Sequence, residues 1–212
     1  MNLLEELTQT AAISAREHRI RALIKKRTKG LFDQIRTDTL GSLICLKKPT
    51  RKGKSKPLRI MVAAHMDQIG FMVKHVDDKG FLRLNPVGGF DARNLFARLC
   101  PVCPDVTDAT KDVPGVLNPG GKPIHIASGD DLKKIPELAE LVVDLGLPAD
   151  EVRQKVRIGD MVVLRGPLCR VGNTVVSQCL DNRAACWIAI RAIEKLKEHR
   201  CEIYCVFTVQ EE

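Results

Sequence analysis

Aromatic side chains are scarce in this sequence: one tryptophan, one tyrosine and six phenylalanines make up 4% of 212 residues. That scarcity removes the stacking platforms on which single-stranded nucleic acid is bound. It leaves the net charge of +8 without a recognition motif beside it. No apolar run approaches the roughly 20 residues of a membrane-crossing helix. The first residues, Met1-Asn2-Leu3-Leu4-Glu5-Glu6-Leu7, are acidic and amphipathic, unlike the basic-then-apolar pattern of an export signal. A cytoplasmic protein with neither a membrane nor a nucleic acid as partner is expected.

What is present is an ordinary globular composition, 44% apolar, long enough to bury a core as one large domain or two small ones. The eight cysteines, without an export signal, read as reduced thiols, most of them small core residues. Cys100-Pro101-Val102-Cys103 has the spacing of a metal or redox pair but no second pair, and buried thiols are the competing reading. The positive charge is local. Residues 1 to 60 hold 15 Lys/Arg against 5 Asp/Glu, and the remainder holds 19 against 21. Much of it lies between Lys47 and Pro57, where prolines, a glycine and like-charge repulsion mark a solvated surface loop.

Leu3, Leu4, Leu7 and Ala11 fall at helical spacing. Ser14 followed by Glu17 gives a capping-box signal for a second helix carrying Ile20, Leu23 and Ile24. Strands are expected over Phe32–Arg36 and Ser42–Leu46, and the apolar run Leu58–Val62 reads as a buried strand ending at His65. Short β-rich runs then alternate with turns (Phe71–His75, Phe81–Asn85, Leu99–Cys103, Met161–Leu164), with one helical excursion at Ala149–Lys155. That spacing predicts a small barrel or sandwich inserted after the His65 strand. From Thr174 the texture reverts: Asn182–Lys197 carries an apolar stripe of Ala185, Ile188, Ala189, Ala192, Ile193 and Leu196, with Asp181 at the N-cap. A β-branched and aromatic strand, Cys201–Val209, runs into Gln210-Glu211-Glu212. The expected class is α/β with domain parts at 1–69, 70–173 and 174–212.

Acidic and imidazole groups thus stand at comparable places: His65 and Asp67 at one strand end, Asp181 at a helix start, Glu211 and Glu212 at another strand end. In open α/β sheets the carboxyl ends of strands border the ligand crevice. Divalent metals take imidazole and carboxylate ligands from several elements. An imidazole binds through one ring nitrogen while a carboxylate such as Asp67 fixes the other. The spacings themselves carry no local metal signature, so Asp181 can equally be a helix cap and the two glutamates a solvated chain end.

The ordered set AHMDQIGFMV, DDKGFLRLNPVGGFDARNL, GKPIH, LVVDLG, IGDMVVL, CLDNR and VFTVQEE resembles the deblocking and glutamyl aminopeptidases of the TET family, across essentially the whole chain. The resemblance implies a doubly wound catalytic domain interrupted by a β-rich, PDZ-like domain used in homo-oligomer assembly. It implies cytoplasmic hydrolysis of peptide substrates from the N-terminus with two divalent ions, zinc or cobalt. Matched by motif, His65 would bind one ion, Asp181 would bridge both and Glu212 would bind the second. Glu211 would be the general base, and Asp67 would orient His65. Family members continue past the Glu-Glu pair, where a further Asp and a His complete the ligands. The 212-residue chain alone is therefore expected to be inactive and poorly soluble, with the Cys201–Val209 strand left as an open edge. An inactive remnant, or an assembly protein that keeps the β domain as an interaction module, is the alternative.

Overall fold

The computed structural model describes residues 2–51, 53–121, 124–130 and 133–212. Met1, Lys52 of the basic loop, and Lys122 and Pro123 of the GKPIH stretch lie outside the described residues. In chain order, α1 (Asn2–Gln9) and α2 (His18–Arg27) precede β1 (Gln34–Thr37), β2 (Leu43–Lys47) and β3 (Arg59–His65). Short strands follow: β4 (Gly70–Val76), β5 (Leu82–Val87), β6 (Arg98–Leu99), β7 (Val102–Cys103), β8 (Val116–Pro119) and β9 (Leu141–Asp144). After α3 (Ala149–Lys155) and β10 (Met161–Val162) come β11 (Cys169–Val171), β12 (Thr174–Val176), α4 (Leu180–Lys195) and β13 (Glu202–Thr208). No helix among the described residues is long and apolar enough to cross a membrane.

The chain divides into two compact units, one formed by Met1–Gln68 with Pro167–Glu211, the other by Ile69–Gly166. The first is mixed α/β. Its sheet has the order β1-β2-β13-β3, with β13 antiparallel to β2 and parallel to β3. Leu3 and Leu7 of α1, Ile20 and Ile24 of α2 and Ile190 and Ile193 of α4 pack with Leu43, Cys45, Cys205 and Phe207 of the sheet into one core. Each fully buried large apolar side chain there contributes roughly 1.5–3 kcal/mol.

Three expectations change here. The Cys201–Val209 strand is not an open edge, because β13 is paired on both sides. The edge is β3, paired on one side only, so its apolar run is exposed rather than buried, with Met61 at 71%. The buried face of α4 is Arg183, Cys186, Ala189, Ile190 and Ile193, while Ile188 is 58% exposed. A charged residue on the inner face had hidden the true stripe. Residues 169–176 form a β11–β12 hairpin that groups with this first unit.

The second unit is a seven-stranded sheet, β6-β8-β9-β5-β4-β10-β7, in which every pairing is antiparallel. Phe71, Leu82, Leu117, Val143 and Val152 of α3 lie in its core. Gly80 makes the β4–β5 turn with φ +89, and a Cβ there would meet Ala149 Cα at 3.0 Å. Both the backbone conformation and the close approach require glycine. Cys100 and Cys103 are both buried thiols.

Burial pushes the Cys45 and Cys186 thiols up to about 12 and the Cys205 thiol up to about 11, from an ordinary 9.0. Cys45 and Cys205 are direct cross-strand neighbours, and the Cys205 thiol adds to the rise that burial causes at Cys45. The folded chain thus holds these protons more tightly than the unfolded chain. Their stabilising contribution is complete below pH 9 and is lost as the pH rises through about 11 to 12. Urea midpoints are expected to fall across that window, and less steeply with Cys45, Cys186 and Cys205 replaced by alanine. Parallel slopes in the two proteins would refute the assignment to these thiols.

Candidate metal centre

The centre lies where two parallel strands end at the same level. His65 of β3 stands opposite Thr208 of β13, and the Met66 amide donates to the Thr208 carbonyl at 2.9 Å. α4 starts beside them. Asp181 (φ −81°, ψ 113°) and Asn182 (φ −115°, ψ 27°) depart from helical geometry, so the regular helix begins after them. The Asp181 carboxylate, for which the sequence left a cap or a metal ligand open, faces His65.

His65 is 7% exposed. Its Nε2 lies 3.3 Å from Asp181 Oδ1 and 3.7 Å from Glu211 Oε2. Its Nδ1 lies 3.4 Å from Asp67 Oδ1, an ion-pair distance without the alignment of a hydrogen bond. Asp67 is fully buried, and its Oδ2 accepts from Ser14 Oγ at 2.6 Å and from the Glu211 amide at 3.0 Å. The two sides of the ring therefore differ. Nδ1 faces a buried, held carboxylate, whereas Nε2 faces carboxylates that are 92% (Asp181) and 58% (Glu211) exposed.

One ligand atom each of His65, Glu211 and Glu212 lie within 4.8 Å of one another. Among the described residues neither Asp181 nor Glu211 forms an ion pair with a lysine or arginine. Carboxylates converging on an imidazole nitrogen with no side-chain cation to offset them are a donor set that fits a divalent metal. His65, Asp181, Glu211 and Glu212 are the residues that could hold one.

Three supporting residues were not legible as such. Ser14 and Glu17, read as a capping box, do something else. Glu17 is the N-cap residue of α2 and makes no side-chain cap bond. Ser14 holds Asp67. Arg183, inside the CLDNR stretch, is fully buried. Its Nη1 donates to the carbonyls of Leu7 (2.6 Å) and Thr10 (3.3 Å), and its Nη2 to the Ala12 carbonyl and to Gln68 Oε1 (both 3.4 Å). Burial pulls this guanidinium below its ordinary value, and neighbours including Asp67 and Glu17 push it back up. The only available signal was a charged residue recurring among apolar ones in a helix.

The family model for M42 glutamyl aminopeptidase matches residues 41–212. A curated protein of Acetivibrio thermocellus with a provisional aminopeptidase name is 39% identical over 212 residues, 100% of this chain and 58% of its own length. The aminopeptidase APDkam598 of the archaeon Desulfurococcus kamchatkensis superposes with a TM-score of 0.86 at 32% identity, over 99% of this chain and 55% of its own. The TET1 peptidase of Pyrococcus horikoshii, described as assembling into a tetrahedron or a large octahedral shell, superposes with a TM-score of 0.82 at 28% identity, over 99% of this chain and 61% of its own. The chain thus spans somewhat more than half the length of these relatives. With the family model covering well over half of its residues, the chain belongs to the M42 glutamyl aminopeptidase family.

Proposed function

We propose that this sequence carries part of the catalytic machinery of a metal-dependent aminopeptidase that releases N-terminal residues from peptides in the cytoplasm. The observation that supports it is the convergence of Asp181 and Glu211 on the solvent-facing nitrogen of His65 at the carboxyl ends of two parallel strands. In this reading His65, Asp181 and Glu212 are the residues that would hold two divalent ions, zinc or cobalt. Bound there, such ions supply Lewis-acid polarisation of the scissile carbonyl.

The protein's own groups have separate tasks. Asp67, held by Ser14, faces the Nδ1 side of His65 and would orient the ring so that Nε2 is presented to a ligand. Glu211 acts as general base: it takes a proton from the attacking water and passes it to the leaving nitrogen. In the same reading the first unit is part of a doubly wound catalytic domain. The β-rich second unit, expected from the sequence as an insertion over residues 70–173, is PDZ-like and is the part through which copies of the protein assemble.

The test is made on the protein carrying this sequence, stripped of metal by chelation and reconstituted with zinc or cobalt. Reconstitution is expected to restore release of N-terminal residues from free peptides, and N-acetylated peptides should be spared. Hydrolysis that survives chelation, or that ignores the acetyl group, sinks the reading.

A further inference from the structure

Adjacent residues of a strand point to opposite faces, so a strand that simply continued would not bring consecutive side chains to one site. β13 ends at Thr208, and two residues later Gln210 adopts φ +57°. This is the left-handed region that side-chain-bearing residues rarely enter without support. The turn comes immediately before Glu211. Beyond it, the Glu211 amide meets Asp67 Oδ2 at 3.0 Å and the Glu211 carboxylate lies 3.7 Å from His65 Nε2.

The support comes from the other end of the chain. Glu17 is 3% exposed, and its Oε1 accepts from the Gln210 amide at 3.1 Å and from the Ala15 amide at 3.0 Å. Ala15 is itself left-handed, at φ +63°. One buried carboxylate oxygen therefore holds the amides of two residues in an unfavourable conformation, 193 positions apart in the case of Gln210. A buried carboxylate needs such donors as much as they need it. The segment carrying Glu17 is tied down independently. Ile13 bridges to Gln68, and the Gln68 amide donates to the Ala12 carbonyl at 3.0 Å. Glu17 therefore grips Gln210 from a fixed position.

We infer that Glu17 is a positioning residue of the candidate centre: by holding the Gln210 amide it maintains the turn that delivers Glu211 to His65. Its consequence for metal binding rests on the function proposed above, but the contact itself does not. Glu17→Ala frees the turn. Glu17→Gln keeps an amide oxygen able to accept both hydrogen bonds. Glu17→Asp keeps the charge but shortens the reach, and carries the alanine expectation should that variant fail to fold.

Two readouts separate the outcomes. In the metal-free protein, the ring 15N shifts of His65 report the two carboxylates beside Nε2, Asp181 at 3.3 Å and Glu211 at 3.7 Å. Glu17→Ala is expected to move the Nε2 resonance and Glu17→Gln to restore it. In a cobalt titration followed by visible absorption, Glu17→Ala is expected to weaken affinity by about 10 to 100-fold, the usual effect of losing a group that orients ligands. Glu17→Gln should bind like the parent. Adding Gln210→Gly to Glu17→Ala should recover part of the loss, because glycine takes the left-handed backbone without an anchor. If the parent binds no cobalt while the Nε2 resonance moves with alanine and returns with glutamine, the positioning role stands and the metal reading falls. An Nε2 resonance unmoved by both Glu17→Ala and Glu17→Asp overturns the positioning role, whatever cobalt does.

Discussion

Replacing Glu211 with glutamine is expected to lower the rate of N-terminal residue release by about 10² to 10⁴-fold, the usual worth of a positioned acid or base. The argument starts from position. The Glu211 carboxylate is 58% exposed and faces the solvent side of His65, 3.7 Å from Nε2, while its amide is fixed on Asp67. A carboxylate in water contact beside a ligand nitrogen can accept a proton, whereas an amide of the same shape cannot. Because glutamine keeps the backbone contact to Asp67, metal content and KM should change far less than kcat. Measuring kcat, KM and bound metal in the same preparation separates the roles. Equal loss of metal and activity would make Glu211 a ligand alone, and an unchanged kcat would remove it from the chemistry.

The groups on the solvent-facing side of the centre, and Asp67 behind His65, were expected from the sequence, whereas Ser14, Glu17 and Arg183 were not expected in their supporting places. His65, Asp181 and Glu211 stand at element ends, where the pattern of apolar runs and breaks is clear, and the structure brings them together. Their supports are hidden by ambiguity in local signals. Ser14 and Glu17 have the spacing of a capping box, and nothing local distinguishes a serine that caps a helix from one that holds Asp67 at 2.6 Å. Helical periodicity alone placed Ile188 inside and Arg183 nowhere in particular. Only packing shows that α4 turns Arg183 inward. The Leu58–Val62 run illustrates the same limit for strands, since apolar content says that a strand is there but not how many neighbours it has. In the second unit, β8 and β9 were missed because Val116–Pro119 and Leu141–Asp144 sit among glycine and proline turn signals. Their pairing is long-range.

Arg183→Met is expected to cost about 3 to 5 kcal/mol of folding stability, the range for leaving a buried ionic arrangement without one partner. Arg183 has no contact with solvent, and four oxygens from separate parts of the chain converge on it: Leu7, Thr10 and Ala12 carbonyls and Gln68 Oε1. Methionine approximates the length of the side chain but donates nothing, so these acceptors lose their donor, at about 1–3 kcal/mol for each left buried and unsatisfied. The same change removes the positive charge that neighbours the buried carboxylates Asp67 and Glu17. Both carboxylates hold backbone on which the centre depends, so the loss of stability should be accompanied by weaker metal binding even in the fraction that remains folded. Arg183→Lys separates the two contributions: it keeps the charge but not the planar fork that serves four acceptors, and should fall between parent and methionine. Urea unfolding of the three proteins measures the order. A methionine variant within about 1 kcal/mol of the parent would show that these oxygens find other donors, and that Arg183 is not what joins the N-terminal segment to α4.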